Sequence, residues 1–288
     1  MVAWVAHPAP AGAAAPAAPA APGAPAAPES TPYYLAIGGS GSVGLQPTPG
    51  RVSGAPTHEG YANDLATDLE ARWPGIQLVE VGCPGETTTT MLDGGDRCYR
   101  TPDSQLGAAV DFLRTHPTTT LVTVDLGFND VRPCLVQRTV DEPCVEEALG
   151  HIRQQLPVIL STLRGASTRS VHLVGIDHYD PYLADRLLDP GAEPFAQQSL
   201  GVIDRLDDTL RTVYAGFGVP TADVPARFDQ ASTRPVAYGT AGEVPEDVAR
   251  ICTLTWMCQP RPLGPNPHPD AAGYQAIADA VSSALDGR

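Results

Sequence analysis

Short apolar segments alternate with amphipathic segments along most of the chain. The apolar segments predict strands at residues 33–37, 76–81, 119–126, 170–176 and 220–224. The amphipathic segments predict helices at residues 59–73, 104–115, 143–164, 194–216 and 270–285. We expect Pro157 to kink or break the third helix, and residues 225–267, rich in Pro and Gly, to form loops. The alternation predicts a mainly parallel sheet with helices on both faces.

Candidate chemistry follows three of the predicted strands. Ser40, Gly85 and Asn129 each come a few residues after a strand ends. In an open parallel sheet, binding sites lie beyond the carboxyl ends of the strands. We therefore expect these residues to converge at one edge of the sheet.

Composition favours one globular domain behind a low-complexity segment. The chain has 288 residues, 42% of them hydrophobic, which suffices for one large core. Residues 8–30 are almost entirely Ala, Pro and Gly, so we interpret residues 1–32 as a disordered tether or leader remnant and residues 33–288 as a single domain. Residues 1–6 lack the basic n-region of a signal peptide. No apolar run approaches the ~20 residues of a membrane span, so we expect no transmembrane segment.

The charged residues exclude several function classes. The formal net charge is −15, and an acidic surface repels phosphate backbones, so we expect no nucleic-acid partner. All 18 basic residues are Arg. Without Lys, the chain has no Walker-type phosphate loop, no lysine Schiff base and no Ser-Lys dyad.

The cysteines cluster in local pairs. They are Cys83 and Cys98, Cys134 and Cys144, and Cys252 and Cys258. Six cysteines allow 15 pairings, and three short-range disulfides are the simplest hypothesis. A zinc site is the rival interpretation, but the chain has no Cys-x-x-Cys pattern, and we expect no metal. Disulfides imply an oxidising compartment, so we expect a secreted protein.

Residues 39–44 follow the pattern Gly-x-Gly-x-x-Gly, which is typical of dinucleotide-binding enzymes when it comes after a strand. In those enzymes a helix begins at once, and its N-terminus binds the pyrophosphate. Here Pro47 and Pro49 follow and disfavour a helix. A dinucleotide-dependent enzyme is therefore the weaker hypothesis, and we expect no cofactor.

Four short blocks contain the candidate chemistry. They are Gly-Gly-Ser-Gly-Ser-Val-Gly at 38–44, Gly-Cys-Pro-Gly-Glu-Thr-Thr at 82–88, Gly-Phe-Asn-Asp at 127–130, and His-Pro followed by Gly-Tyr within 268–274. In content and order they resemble the four blocks of the SGNH, or GDSL-type, hydrolase family. The local cysteine pairs and the loop around Trp256 look like those of secreted actinobacterial members. The resemblance implies a three-layer α/β/α, flavodoxin-like sandwich with a mainly parallel sheet.

The resemblance also implies a role for each block. Ser40 would be the nucleophile, and His268 the general base that later protonates the leaving alcohol. The backbone N–H groups of Ser40 and Gly85 and the side-chain amide of Asn129 would form the oxyanion hole. The substrate would be a small-molecule or lipid ester.

The chain departs from the family pattern at two positions. Gly39 stands where the family has Asp, and Pro265 stands where the family has the Asp that orients the histidine. We therefore predict a Ser-His dyad, in which a backbone carbonyl at Pro265 or Asn266 accepts a hydrogen bond from Nδ1 of His268. A neutral acceptor stabilises the imidazolium less than a carboxylate does, so we expect modest turnover.

Residues near the four blocks receive structural or accessory roles. We expect Asp125 and Asp130 to be structural. His178 either lines the cleft or is a satisfied histidine at a strand end, and we favour the second interpretation. We expect Glu86 to touch the substrate and the loop with Trp256 to shape the acyl pocket.

These observations predict a secreted, monomeric serine esterase or lipase that acts on carboxylic esters. Short acyl esters, lysophospholipids and acetylated sugars all remain open as substrates. The alternative is a catalytically weak relative that binds glycans or lipids, which the residues at positions 39 and 265 motivate. Activation of Ser40 distinguishes the two hypotheses.

Overall fold

A parallel sheet forms the centre of the fold. The computed structural model describes residues 31–167 and 171–287, so all but the last two residues of the predicted tether at 1–32 lie outside the described residues, as does Ser170, the first residue of the predicted fourth strand. The strands of the sheet are β1 (Tyr33–Gly38), β2 (Gln77–Glu80), β3 (Thr119–Asp125), β4 (His172–Ile176) and β5 (Thr221–Ala222). They lie parallel in the order β2-β1-β3-β4-β5, which is the flavodoxin-like order.

Helices connect the strands and cover both faces of the sheet. They are α1 (Tyr61–Asp68), α2 (Thr88–Asp93), α3 (Gln105–Thr115), α4 (Phe128–Val131), α5 (Glu142–Ala166), α6 (Asp185–Leu188), α7 (Glu193–Gly216), α8 (Val224–Arg227), α9 (Glu246–Leu254) and α10 (Ala271–Asp286). The predicted fold class is confirmed.

Each face of the sheet has its own hydrophobic core. Leu35 and Val124 lie in the core beneath α3, α5 and α7. Tyr34 and Ile176 lie in the core beneath α1, α9 and α10. Because successive side chains of a strand point to opposite faces, continuous apolar strands supply both cores at once. The result is a three-layer α/β/α sandwich.

The segment at residues 225–267 contains more regular structure than its sequence predicts. It includes an antiparallel hairpin of Pro235–Ala237 with Glu243–Pro245, followed directly by α9. Val248, Ile251 and Cys252 are buried at positions i, i+3 and i+4 of α9. This apolar stripe packs against the core and stabilises a helix between proline-rich neighbours.

Pro157 does not break α5, which continues from Glu142 to Ala166. A proline inside a helix removes the N–H that would pair with the carbonyl four residues earlier. That carbonyl belongs to Arg153, which is exposed, so water can hydrate it. The predicted break is therefore wrong, and burial of the apolar face maintains the helix.

Three disulfides join Cys83 to Cys98, Cys134 to Cys144, and Cys252 to Cys258. These are the local pairs that the sequence favours. No helix among residues 31–167 and 171–287 is long and apolar enough to cross a membrane.

Candidate active site

Ser40 lies just beyond the carboxyl end of β1. It caps a short 3-10 turn at Gly41–Val43, so the chain leaves the sheet edge at once. The Gly39 N–H donates to the carbonyl of Asp125 at 2.8 Å, and the Ser40 carbonyl accepts from the Leu45 N–H at 3.1 Å. The end of β3 and the turn therefore fix the backbone on both sides of the serine.

The turn does not continue into a long helix. Residues Gln46–Thr48 form a short strand that pairs with Arg51–Ala55. The helix N-terminus that a pyrophosphate requires is therefore missing after residues 39–44, as Pro47 and Pro49 predict. Among the described residues, no group of three or more His, Cys, Asp or Glu side chains is arranged to hold a metal ion.

His268 contacts Ser40 directly, although 228 positions separate them in sequence. The distance from Ser40 Oγ to His268 Nε2 is 2.9 Å. The other ring nitrogen, Nδ1, lies 2.7 Å from Oδ1 of Asn266. With Nδ1–H donating to Asn266, Nε2 is left free to accept the hydroxyl proton of Ser40.

The acceptor at Nδ1 corrects one prediction. The sequence predicted a backbone carbonyl, but the acceptor is the side-chain carbonyl of Asn266. Asn266 Oδ1 also accepts from the backbone N–H of His268 at 3.0 Å, and its Nδ2 donates to the carbonyl of Val52 at 3.1 Å. Asn266 is only 7% exposed, so these contacts fix both its position and the orientation of its amide. The only sequence signal for this role is an Asn two residues before the histidine, and none of the four family blocks includes that position.

Trp256 supports the loop of His268 rather than the acyl pocket. Its backbone N–H donates to the carbonyl of His268 at 3.0 Å, and its carbonyl accepts from the Asn266 N–H at 3.2 Å. Its indole N–H donates to Oε1 of Gln46 at 3.3 Å. Trp256 does not line the cavity beside Ser40, so the prediction that it shapes the acyl pocket is wrong.

The candidate oxyanion-hole donors are the N–H groups of Ser40, Gly85 and Asn129. Among the described residues, no protein acceptor pairs with the backbone N–H groups of Ser40 and Gly85. The side-chain amide of Asn129 donates one N–H to the carbonyl of Glu86 at 3.1 Å, which leaves its second N–H unused. Asn129 therefore lies between the block of Ser40 and the block of Gly85.

Two glycines allow this close approach. Gly85 has a φ of +85°, in the left-handed region that glycine favours. A Cβ atom at Gly85 would lie 2.7 Å from the guanidinium of Arg97, and one at Gly39 would lie 3.0 Å from Nδ2 of Asn129. Gly39 therefore packs closely against the Asn129 amide.

Glu86 does not face the cavity, which corrects its predicted contact with substrate. Its carboxylate is buried and accepts from Nε2 of Gln105 at 2.9 Å. Gln105 in turn accepts from the Gly38 N–H at 2.6 Å and donates to the Gly38 carbonyl at 3.1 Å. Glu86 and Gln105 therefore fix the end of β1. Gln105 lies outside the four blocks, so nothing in the sequence indicated this role.

Asp130 joins the second and third blocks. Its carboxylate accepts from the backbone N–H of Thr88 at 3.1 Å and from the Thr88 hydroxyl at 2.6 Å. Burial raises the pKa of Asp130 to about 6, although these hydrogen bonds oppose the shift. The contacts agree with the structural role expected for Asp130.

A cavity opens beside Ser40 and His268. Its lining also includes Asn129, Asp125, Asp177, His178 and Arg132. Gly85 is not among the lining residues. The structure therefore brings Ser40, His268 and Asn129 to one cavity, whereas Gly85 is not part of its lining.

His178 fits both of its interpretations, since it lines the cavity and is hydrogen-bonded. Its Nε2 donates to the carbonyl of Leu126 at 3.0 Å, and its Nδ1 lies 3.9 Å from Oδ1 of Asp125. The backbone N–H of Ser42 lies near the Asp125 carboxyl. Burial raises the pKa of Asp125, and these two partners partly oppose that shift.

His268 is a neutral imidazole near pH 7. Burial, with a smaller contribution from the positive charge of Arg132, lowers its pKa to about 4. A neutral ring can accept a proton from Ser40, but a ring with this pKa is a weak base. The arrangement can therefore support nucleophilic attack by Ser40 on a carbonyl carbon.

Comparison with known proteins identifies related sequences and folds. The profile of the GDSL-like lipase/acylhydrolase family matches residues 36–276. No curated protein matches the chain significantly.

Solved structures of hydrolases share the fold. An extracellular lipase from Streptomyces rimosus is 19% identical with a TM-score of 0.54, and the match covers 88% of this chain and 99% of that one. Phospholipase A1 from Streptomyces albidoflavus is 18% identical with a TM-score of 0.55, over 86% and 98% of the two chains. The lipase Lip_vut3 from a goat rumen metagenome is 16% identical with a TM-score of 0.54, over 88% and 97%. At these identities the likeness establishes the fold.

Proposed function

Because this chain belongs to the GDSL-like lipase/acylhydrolase family, we propose that it hydrolyses carboxylic esters through an acyl-Ser40 intermediate. Membership of the family makes it a carboxylic ester hydrolase. The observation that supports Ser40 as the nucleophile is its 2.9 Å contact with Nε2 of His268. Oriented by Asn266, His268 is the base.

The reaction has two acyl-transfer steps. Ser40 Oγ attacks the ester carbonyl carbon while its proton passes to Nε2 of His268, and the imidazolium then protonates the leaving alcohol. Water attacks the acyl-enzyme with His268 again as base, and the carboxylic acid leaves as Ser40 recovers its proton. Asn266 Oδ1 holds the Nδ1–H throughout.

A negative charge develops on the carbonyl oxygen of the ester when Ser40 attacks, and hydrogen-bond donors stabilise it. The N–H groups of Ser40 and Gly85 and the second N–H of Asn129 form the proposed oxyanion hole. The unpaired state of the two backbone donors supports this assignment. One such donor contributes about 10²–10³ in rate.

We also propose that the protein acts outside the cytoplasm. Three disulfides are typical of an oxidising compartment. The similar lipase from Streptomyces rimosus is extracellular.

The test is hydrolysis of p-nitrophenyl esters from acetyl to palmitoyl by the wild type, Ser40→Ala and His268→Ala. We expect each variant to lose about 10⁴-fold or more in kcat, because nucleophile and base act as a unit. Retained activity in Ser40→Ala contradicts the nucleophile assignment. The chain-length profile of the wild type separates an esterase from a lipase.

Labelling by a fluorophosphonate tests the alternative of a binding protein with weak activity. An activated Ser40 reacts covalently, and Ser40→Ala does not. A folded wild type that neither labels nor hydrolyses any ester supports the alternative, in which the fold binds a glycan or lipid.

A further inference from the structure

Arg132 brings a positive charge to the cavity that contains Ser40 and His268. It is an exposed residue of the cavity lining, and its charge acts on His268. Among the described residues, no carboxylate forms an ion pair with Arg132, whereas several other arginines of this acidic chain do. Neither the nucleophile, the base nor the oxyanion hole requires this guanidinium.

The carboxylates of the cavity wall have partners of their own. Asp177 accepts from Nε of Arg211 at 2.9 Å and from the Val224 N–H at 2.7 Å. Asp125 lies near the Ser42 N–H and beside His178. Among the lining residues, the charge of Arg132 is therefore left without an opposite charge.

The position of Arg132 is well supported. It lies three residues after Asn129, at the start of the 3-10 turn Arg132–Cys134. The disulfide of Cys134 and Cys144 ties this turn to the start of α5. The guanidinium also lies near the hydroxyl of Tyr182, a neutral group that leaves the charge uncompensated.

We propose that Arg132 binds an anionic group of the ester substrate, a phosphate or a carboxylate. The proposal rests on the proposed function and names the substrate class of the same site. A guanidinium presents a planar fork of N–H donors that matches either group, and charge-assisted hydrogen bonds of this kind are strong. The net charge of −15 makes the site more selective, since the rest of the surface repels anions.

The chemistry of the dyad agrees with an anionic substrate. A positive charge near His268 opposes formation of the imidazolium during catalysis. An anionic group bound to Arg132 would neutralise this effect as the substrate arrives. A neutral ester would leave the effect in place. Arg132 should therefore slow the hydrolysis of neutral esters and favour the hydrolysis of anionic ones.

The experiment compares matched esters on wild type, Arg132→Gln, Arg132→Lys and the control Arg153→Gln. The phosphate pair is lysophosphatidylglycerol and a monoacylglycerol with the same acyl chain. The carboxylate pair is 4-nitrophenyl hydrogen glutarate and its methyl ester. The readout is the ratio of kcat/KM for the anionic ester to that for the neutral ester. Arg153 is exposed on α5 and does not line the cavity, so it controls for surface charge.

We expect Arg132→Gln to lower the ratio by about tenfold or more in at least one pair, with a smaller loss in Arg132→Lys. The pair that changes identifies the anionic group. An unchanged ratio in both pairs, or an equal loss in Arg153→Gln, overturns the proposal. A folded wild type that hydrolyses none of the four esters instead contradicts the proposed function, and the proposal fails with it.

Discussion

Asn266 occupies the place that a carboxylate has in a Ser-His-Asp triad. It fixes the tautomer of His268, but it cannot supply a negative charge to the imidazolium. Both ends of its amide form hydrogen bonds: Oδ1 accepts from His268, and Nδ2 donates to the carbonyl of Val52. Asn266 orients the imidazole but adds no negative charge beside it, which is consistent with the low pKa of His268.

Asn266→Asp should move the pH profile of the enzyme. In the wild type, kcat/KM should fall only below about pH 4, where protonated His268 can no longer accept from Ser40. A carboxylate beside Nδ1 favours the imidazolium and raises the pKa of His268, so the acid limb should shift to higher pH. The measurement is kcat/KM on p-nitrophenyl butyrate from pH 3 to 9.

The same variant should be less stable than the wild type. An Asp carboxylate would place an oxygen against the carbonyl of Val52, where Nδ2 now donates. We expect a loss of roughly 1–3 kcal/mol in unfolding free energy, the usual cost of an unpaired buried polar group. Asn266→Ala controls for the loss of the amide, and it should lower kcat without raising the pKa. An acid limb that stays in place in Asn266→Asp would contradict this role of Asn266.

Residues within short blocks could be predicted, and residues that folding brings to the site could not. The four blocks pointed to Ser40 and His268, and the structure joins them by a hydrogen bond. Gln105 and Arg132 carry no local pattern of chemistry, because their position depends on the packing of α3 and on the turn after α4. The family pattern, with Asp three residues before the histidine, pointed to a backbone carbonyl at Pro265 or Asn266 and gave no role to the Asn266 side chain.

At the scale of elements, the segment that follows α9 pairs with the loop of His268 through backbone contacts. Thr255 bridges to Pro269, and the Leu254 carbonyl accepts from the Asp270 N–H at 3.0 Å. The disulfide of Cys252 and Cys258 encloses this segment. The proposed catalytic base, His268, therefore depends on a part of the chain that the sequence predicts to be loop.

Replacement of Cys252 and Cys258 by Ala should lower both stability and activity. Loss of this short closed loop should cost about 2 kcal/mol in unfolding free energy by the chain-entropy account. The loop of His268 should then move more, and kcat on a neutral ester should fall by about tenfold as the contact with Ser40 loosens. The measurements are urea unfolding and kcat on p-nitrophenyl butyrate.

The matched control replaces Cys134 and Cys144 by Ala. That change should cost a similar unfolding free energy, about 2–3 kcal/mol. Among the described residues, no hydrogen bond or ion pair joins residues 134–144 to the loop of His268, so kcat on a neutral ester should fall less. Equal losses of kcat in both double variants would show that the activity follows global stability.

Elements with one clear apolar face were predictable, while elements that depend on tertiary packing were not. The stripe of Leu106, Val110 and Leu113 predicted α3 to within a residue at its start. Pro157 predicts a kink or break in α5, but the helix continues through it, and its apolar face covers the sheet on both sides of the proline. Local propensity was outweighed there by burial.

For the whole molecule, alternation of strands and helices was enough to predict the parallel sheet but not its order. The order β2-β1-β3-β4-β5 places the ends of β1 and β3 side by side, with Gly38 paired to Asp125. Ser40 and Asn129 follow these two ends directly. Their convergence therefore depends on the strand order. The sequence predicts that both residues lie at one edge of the sheet, but it does not predict which strands are neighbours.

Buried carboxyls give the whole fold a second pH dependence. Burial raises the pKa of Asp180 to about 7. Burial, reinforced by the charge of Asp177, raises that of Asp207 to about 9. A carboxyl with a raised pKa contributes its full stabilisation below about pH 4, its unfolded value, and loses it as the pH rises through the folded value. The fold should therefore become less stable between pH 6.5 and 9.

Asp207→Asn should remove much of this dependence. Asp207 Oδ1 accepts from the His178 N–H at 3.0 Å, and an amide oxygen can accept the same bond without ever ionising. We expect the melting temperature of the wild type to fall by several degrees from pH 6.5 to 9, at roughly 2–4 °C for each kcal/mol, and that of Asp207→Asn to fall less. His268 does not enter this window, because its opposite contribution applies only below its unfolded pKa of about 6.5. The net charge of −15 acts on both proteins almost equally, so equal slopes would assign the dependence to general charge repulsion and not to Asp207.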